Sequence, residues 1–197
     1  MAYIKNTAFE ARVSNNKRDD LVNVTGRYRE DGKDAECSAG ILCVRDGKLP
    51  CAGFGASVFN ENAWYMKVAP AAANAGEVIY ASNTYEWPTV TDARTNNTYA
   101  LGRQTLGLSI PEGNDGTFTK VVFNGENVYR FGAGNISGEL GDNKFLTIAD
   151  GLLKPAASAP TATGAIYFTV EGTGNFVEGN TQSFAYVDVI GHVAFQS

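Results

Sequence analysis

Nowhere does this chain hold one hydrophobic period for long. Short runs of apolar, aromatic or β-branched residues alternate with Gly, Asn, Asp and Pro along almost its whole length. That alternation restricts it to folds built from short strands. Thr117–Phe131 (TFTKVVFNGENVYRF) is representative. Thr117 to Phe123 is rich in strand formers, and Asn124-Gly125 supplies the positive backbone angles of a tight turn. Val128 to Phe131 then predicts a returning strand, so the stretch reads as a hairpin.

Elsewhere the spacing predicts strands over 8–13, 21–25, 41–45, 54–59, 64–68 and 77–81. Further strands are predicted over 104–110, 165–170, 184–190 and 193–195. In 104–110, Leu106, Leu108 and Ile110 alternate with Thr105, Gly107 and Ser109; in 165–170, Ile166, Phe168 and Val170 share a face. Both are period two, with one side buried. Asp46-Gly47 reads as a hairpin turn into Leu49-Pro50-Cys51, where Pro50 restricts the returning limb to an edge. Asn60-Glu61-Asn62 reads as a connection, and 91–98 is polar and undecided. One stretch suggests a helix, Phe145–Leu153, because Leu146, Ala149 and Leu153 fall on one helical face and Asp142-Asn143 could cap it. With about ten to twelve strands and at most one or two short helices, the expectation is a mainly β protein, an antiparallel β-sandwich or β-barrel.

At 197 residues the chain can bury a core without a disulfide or metal. Residues 1–30 differ from the rest: polar, charged segments separate two strand-like pieces. They read as an N-terminal arm or edge-strand segment on a β-rich domain over 31–197, and the KPAASAP stretch at 154–160 marks a sub-boundary.

Charge limits the partners. The net charge is −5, and the densest basic run, Lys17-Arg18, is followed at once by Asp19-Asp20. A nucleic-acid binder needs a basic face, so no nucleic-acid partner is expected. No apolar run is long enough to predict a membrane span, and the first residues lack the apolar core of a signal peptide. The chain is expected to be made in a cytoplasm.

No residue set predicts catalysis. With His192 the only histidine, a triad must use it as base, and Asp188 is its local partner. Four strand residues span about 13 Å, too far for a hydrogen bond unless Gly191 bulges. Cys37, Cys43 and Cys51 lack the close pair that grips zinc. Cys43 reads as a buried thiol; a Cys37–Cys51 disulfide is the alternative use of the other two. The run Gly132-Ala133-Gly134-Asn135-Ile136-Ser137-Gly138 resembles a nucleotide loop but its last interval is one residue too long, so it reads as an ordinary loop. The acidic turns lack the residue order of a calcium loop. The expectation is no catalytic, cofactor-binding or metal residue, and no cofactor. Trp64, Tyr65, Tyr85 and Trp87 could instead form a sugar-stacking platform, with packing as the plainer use of large aromatics.

Two stretches carry a family resemblance. Ser38-Ala39-Gly40-Ile41-Leu42-Cys43-Val44-Arg45-Asp46-Gly47 and Ala75-Gly76-Glu77-Val78-Ile79-Tyr80-Ala81-Ser82-Asn83 each set Ala-Gly before a short apolar strand. The pattern resembles tailed-bacteriophage virion proteins, small capsid decoration (cement) proteins above all. The resemblance implies a non-enzymatic structural role: a β-domain on the virion's capsid surface, stabilising it by docking on major capsid protein subunits and on copies of itself. It supplies no functional residue. The alternative is a carbohydrate- or receptor-binding β-domain of a phage tail or spike.

Overall fold

The computed structural model describes residues 7–12, 22–50, 59–71, 73–85, 89–92, 97–100, 109–178 and 182–195. The strands are β1 Phe9–Arg12, β2 Asn23–Glu30, β3 Lys33–Asp34, β4 Cys37–Ser38, β5 Leu42–Pro50, β6 Phe59–Val68, β7 Tyr80–Tyr85 and β8 Thr89–Asp92. They continue as β9 Asn97–Ala100, β10 Ser109–Ile110, β11 Gly116–Lys120, β12 Val128–Gly132, β13 Phe145–Ala149, β14 Leu152–Ala156, β15 Ile166–Glu178 and β16 Gln182–Val193. The protein is mainly β, with antiparallel sheets packed together. The helical structure among the described residues is a three-residue 3-10 turn, Ala133–Asn135.

One sheet has six strands in the order β1-β12-β16-β15-β13-β14, every neighbouring pair antiparallel. A second six-stranded sheet runs β11-β7-β5-β6-β2-β3, with β11 also bonded to β2, and β4–β10 and β8–β9 form two short pairs. The β11–β2 pairing closes β2, β6, β5, β7 and β11 into a small ring, in which Phe118 sits across from Val24 on one side and Ser82 on the other. Within the ring, β2 and β6 are parallel.

Alternation along the shared strands then creates two cores. In β5, Leu42 points toward the six-stranded sheet and Cys43 into the ring; in β7, Ala81 and Tyr80 divide the same way. The larger core lies between the sheets, where Tyr129, Phe131, Leu146, Phe168, Val187 and Val189 meet Leu42, Ile79 and Ala81. Each fully buried large side chain contributes about 1.5–3 kcal/mol. The smaller core fills the ring with Val24, Tyr28, Met66, Tyr80 and Phe118, joined by Cys37, Ile41 and Ile110. Space there is tight. Gly26 faces Gly116 across the β2–β11 seam, and a Cβ on Gly26 would stand 2.5 Å from Met66 Cγ and 2.6 Å from the Phe118 ring.

Several sequence expectations are corrected. Thr117–Phe131 is not a hairpin: β11 belongs to the ring and β12 to the other sheet, so 121–127 crosses between layers. Asn124-Gly125 still turns the chain, with Gly125 at φ 76° and Asn124 Oδ1 accepting from the N–H groups of Glu126 and Asn127. Phe145–Leu153 is a hairpin, not a helix. Leu146 and Ile148 face the core at period two, and Asp150-Gly151 adopts φ 49° and 73°, the doubly positive turn a two-residue hairpin prefers. Asp46-Gly47 is a bulge inside β5, opposite the β6 stretch between Met66 and Trp64. Asn60-Glu61-Asn62 lies within β6, and 28–30 continues β2. The segments at 184–190 and 193–195 belong to, or follow, the single strand β16, which runs through Gly191. The predicted strand at 54–59 meets the structure only at Phe59, and 104–110 only at Ser109 and Ile110; the remainder lies outside the described residues.

Of residues 1–30, β1 is the edge strand of the six-stranded sheet and β2 is bonded on both sides within the ring. Thr7, Ala8 and Phe9 are buried, and the Phe9 ring packs on Phe131 at a centroid distance of 5.2 Å. Excising residues 1–20 would therefore take a core aromatic and an edge strand with it.

The interior of the ring predicts an alkaline weakness. Burial pushes the Tyr28 phenol well above its ordinary range, and its hydroxyl donates to Glu30 Oε1 at 3.1 Å. Burial also raises Tyr80, and raises the Cys43 thiol, whose Sγ donates to the Ile41 carbonyl at 3.5 Å. The unfolded chain loses these protons from about pH 8.5 for thiols and pH 10 for phenols, while the folded chain keeps them. Stability is thus fully present below about pH 8 and falls as pH climbs through those values. Urea midpoints at pH 7 and above pH 10 check this, and Tyr28→Phe is expected to flatten the upper part of the decline. A midpoint unchanged across that range would contradict it.

Candidate functional site

The best-formed surface feature is a short loop between the two layers. Asn74 Oδ1 accepts from Gly76 N–H at 2.9 Å, and Glu77 N–H donates to the Asn74 carbonyl at 2.9 Å. Asn74 N–H in turn donates to Glu77 Oε2 at 3.2 Å. An Asn that bonds its own backbone two residues on builds a turn without needing a sheet. Two outside ties anchor it and together make an antiparallel bridge between Asn74 and Ala165: Ala75 N–H donates to the Gly164 carbonyl at 2.8 Å, and Ile166 N–H donates to the Ala73 carbonyl at 3.4 Å.

This loop presents Val78 at its end, 46% exposed. Depressions lie on both sides of it. One, of about 250 Å³, is apolar and lined by Ala75, Val78, Val122, Phe123, Ile166 and Val193, with Lys120 and Glu77 at its margin. The other, of about 390 Å³, is bounded by Val44, Arg45 and Lys67. Lys67 Nζ pairs with Asp46 Oδ1 at 2.7 Å, and the Arg45 guanidinium lies 4.1 Å from the centre of the Trp64 ring and 5.0 Å from that of Tyr80. Lys48 Nζ also stands 4.0 Å from the Trp64 ring centre. The arrangement is an apolar ridge on a rigid turn, with charged groups around it. Such an arrangement offers apolar area to bury and a polar rim to orient it.

The residues singled out in the sequence are dispersed. Asp188 does not serve His192. Its two oxygens accept from Arg130 Nε and Nη2, both at 2.7 Å, and Arg130 also lies 3.7 Å from the Tyr186 ring centre. The hydrogen bonding to Asp188, together with its charge, raises the Arg130 guanidinium above its ordinary value. His192 Nε2 instead meets Thr169 Oγ1 at 2.9 Å, and its ring stacks on Tyr167 at 5.3 Å. Both are cross-strand contacts on the outer face of the sheet.

Trp64 and Tyr65, adjacent in β6, point to opposite faces. Trp64 packs against the ring interior, and Tyr65 lies outside under the Arg29 guanidinium at 3.3 Å. They therefore do not share one platform; Trp87 and the Tyr85 side chain lie outside the described residues. Cys37 and Cys43 are buried free thiols, and Cys51 lies outside the described residues. The glycine run at 132–138 holds the 3-10 turn, where Asn135 is buried. Its Oδ1 accepts from Ala8 N–H at 3.0 Å and its Nδ2 donates to the Ala39 carbonyl at 2.8 Å. Among the described residues, no group of three or more His, Cys, Asp or Glu side chains is placed to hold a metal, and no helix is long and apolar enough to cross a membrane.

Sequence reasoning did not find the Val78 ridge, because Glu77–Ala81 reads as a strand. The signal was present in Asn74-Ala75-Gly76-Glu77: an Asx-turn residue, a glycine two positions on, and a carboxylate three positions on. No protein-family model, curated protein or solved structure matches this chain.

Proposed function

We propose that this chain is a non-enzymatic virion structural protein that decorates a bacteriophage capsid and stabilises it by docking on major capsid protein subunits. Two lines support the reading: the resemblance of 38–47 and 75–83 to decoration proteins, and the exposed apolar ridge that the second of those stretches carries. The observation that carries it is the Val78 ridge, an exposed apolar side chain on a turn braced by five hydrogen-bonded or bridging contacts. A braced turn loses little conformational freedom on binding, so the apolar area it buries converts efficiently into affinity.

The test looks for a major capsid gene in the neighbouring reading frames and measures co-sedimentation with shells of its product; the absence of any such gene also counts against the capsid reading. The wild-type chain is expected to pellet with the shells. Val78→Asp places a charge where apolar area is buried and is expected to weaken retention at least tenfold, with the thermal midpoint unchanged. Retention unaffected by the substitution removes the ridge from the mechanism; a wild-type chain that stays in the supernatant removes the capsid reading.

A further inference from the structure

β15 and β16 continue as a pair beyond their neighbours. β13 bonds β15 at Phe168 and Thr169, with one more bond from Val170 N–H to the Lys144 carbonyl. β12 bonds β16 between Tyr186 and Ile190. The β15–β16 register runs on from Gly172↔Asp188 to Glu178↔Gln182. Among the described residues, the segment from Gly172 to Glu178 therefore pairs only with β16, and its outer edge carries no strand. At about 3.3 Å per residue the free segment is roughly 23 Å long. A bulge between Val170 and Gly172 marks where it leaves the sheet, with Glu171 as the extra residue.

A two-stranded ribbon is marginally stable in water, and its unpaired N–H and C=O groups template another strand. The chain defends its other edge. β14 carries an exposed Lys154 and Pro155, which both oppose edge-to-edge pairing. Within the free segment, 172–177 (GTGNFV) contains no charge and no proline; the charges Glu171 and Glu178 stand only at its two ends.

A second copy of this chain fits that edge. Antiparallel pairing of identical strands about a two-fold axis satisfies both edges at once. Outward-facing backbone groups alternate with period two, so residues opposed across the axis must both be odd-numbered or both even-numbered. In the register centred on Asn175, Glu178 faces Gly172 of the other copy, and Glu171 stays in the bulge outside the paired segment. Centring on Asn175 uses the whole free segment: Gly172 opposes Glu178, Thr173 opposes Val177, Gly174 opposes Phe176, and Asn175 meets its mate. Centring on Gly174 would instead recruit Val170, whose N–H is already bonded to Lys144. The favoured register pairs an aromatic with a glycine and amide with amide, both favourable across strands.

The geometry points to a symmetric dimer in which the free β15 edges of two copies pair antiparallel about a two-fold axis at Asn175. This assignment does not depend on the virion reading. Analytical ultracentrifugation of the full chain at concentrations on the order of 100 µM is expected to show a dimer. Thr173→Lys, at an exposed position, and Val177→Lys, its partner in the proposed register, are expected to weaken it at least tenfold while leaving the thermal midpoint of the dilute monomer unchanged. Mild oxidation of Asn175→Cys is expected to give a covalent dimer, whereas Thr173→Cys, whose mate across the axis is Val177, should not. A wild-type monomer at that concentration, a dimer indifferent to both lysines, or equal cross-linking at positions 173 and 175 would each overturn the assignment.

Discussion

Gly26→Ala is expected to cost about 3 kcal/mol of folding stability, the upper end of what overpacking a filled core costs. The added methyl meets Met66 Cγ at 2.5 Å and the Phe118 ring at 2.6 Å, and both residues are completely buried. Phe118 cannot retreat, because β11 is bonded to β2 on one side and β7 on the other. In a chain of this length such a loss lowers the thermal midpoint by roughly 6–12 °C. Gly172→Ala is the matched control. A Cβ there meets nothing within 4 Å, so the substitution is expected to be neutral or slightly stabilising. If the two substitutions had equal effects on the urea midpoint, the ring would be looser than its packing implies.

The glycine pair at the seam also shows which parts of this fold were legible. Strand content was, because period-two alternation and turn residues are local signals, as at 165–170 and in β1. Partner choice was not. Asn124-Gly125 is a strong hairpin signal, yet the strands it separates join different sheets; the turn is real and the pairing is decided by burial elsewhere. Asp150-Gly151 is the converse case, a true hairpin turn hidden because Leu146, Ala149 and Leu153 also satisfy a helical spacing. Closure of the ring was invisible: it rests on β11 bonding β2, residues separated by about ninety positions. Of the candidate site, the sequence displayed the turn chemistry at Asn74 but not the apolar depression beside Val78, which needs Ile166 and Val193 from the far end of the chain.

Asn135→Ala is expected to destabilise the protein by about 3 kcal/mol, because it leaves two buried backbone groups without partners. Asn135 is fully buried, and its amide spans the junction of three segments: its own 3-10 turn, the strand entry at Ala8, and the turn at Ala39. The fit explains why Gly40 is a glycine, since its φ of 74° favours one and a Cβ would stand 2.7 Å from the Asn135 amide nitrogen. The two ends of the amide do different work, which separates this contact from generic packing. Asn135→Asp preserves volume and still accepts from Ala8 N–H, but an ionised carboxylate would face the Ala39 carbonyl with no donor between them. That variant is expected to be less stable than Asn135→Ala at pH 7 and to recover toward pH 4, where a protonated acid can donate again. The sign follows from a carboxyl held protonated in the folded state and ionised in the unfolded one. Urea midpoints of both variants at the two pH values decide the matter. If the aspartate variant kept the same deficit at both, the Ala39 bond would have no role in stability, and Asn135 would act through Ala8 alone.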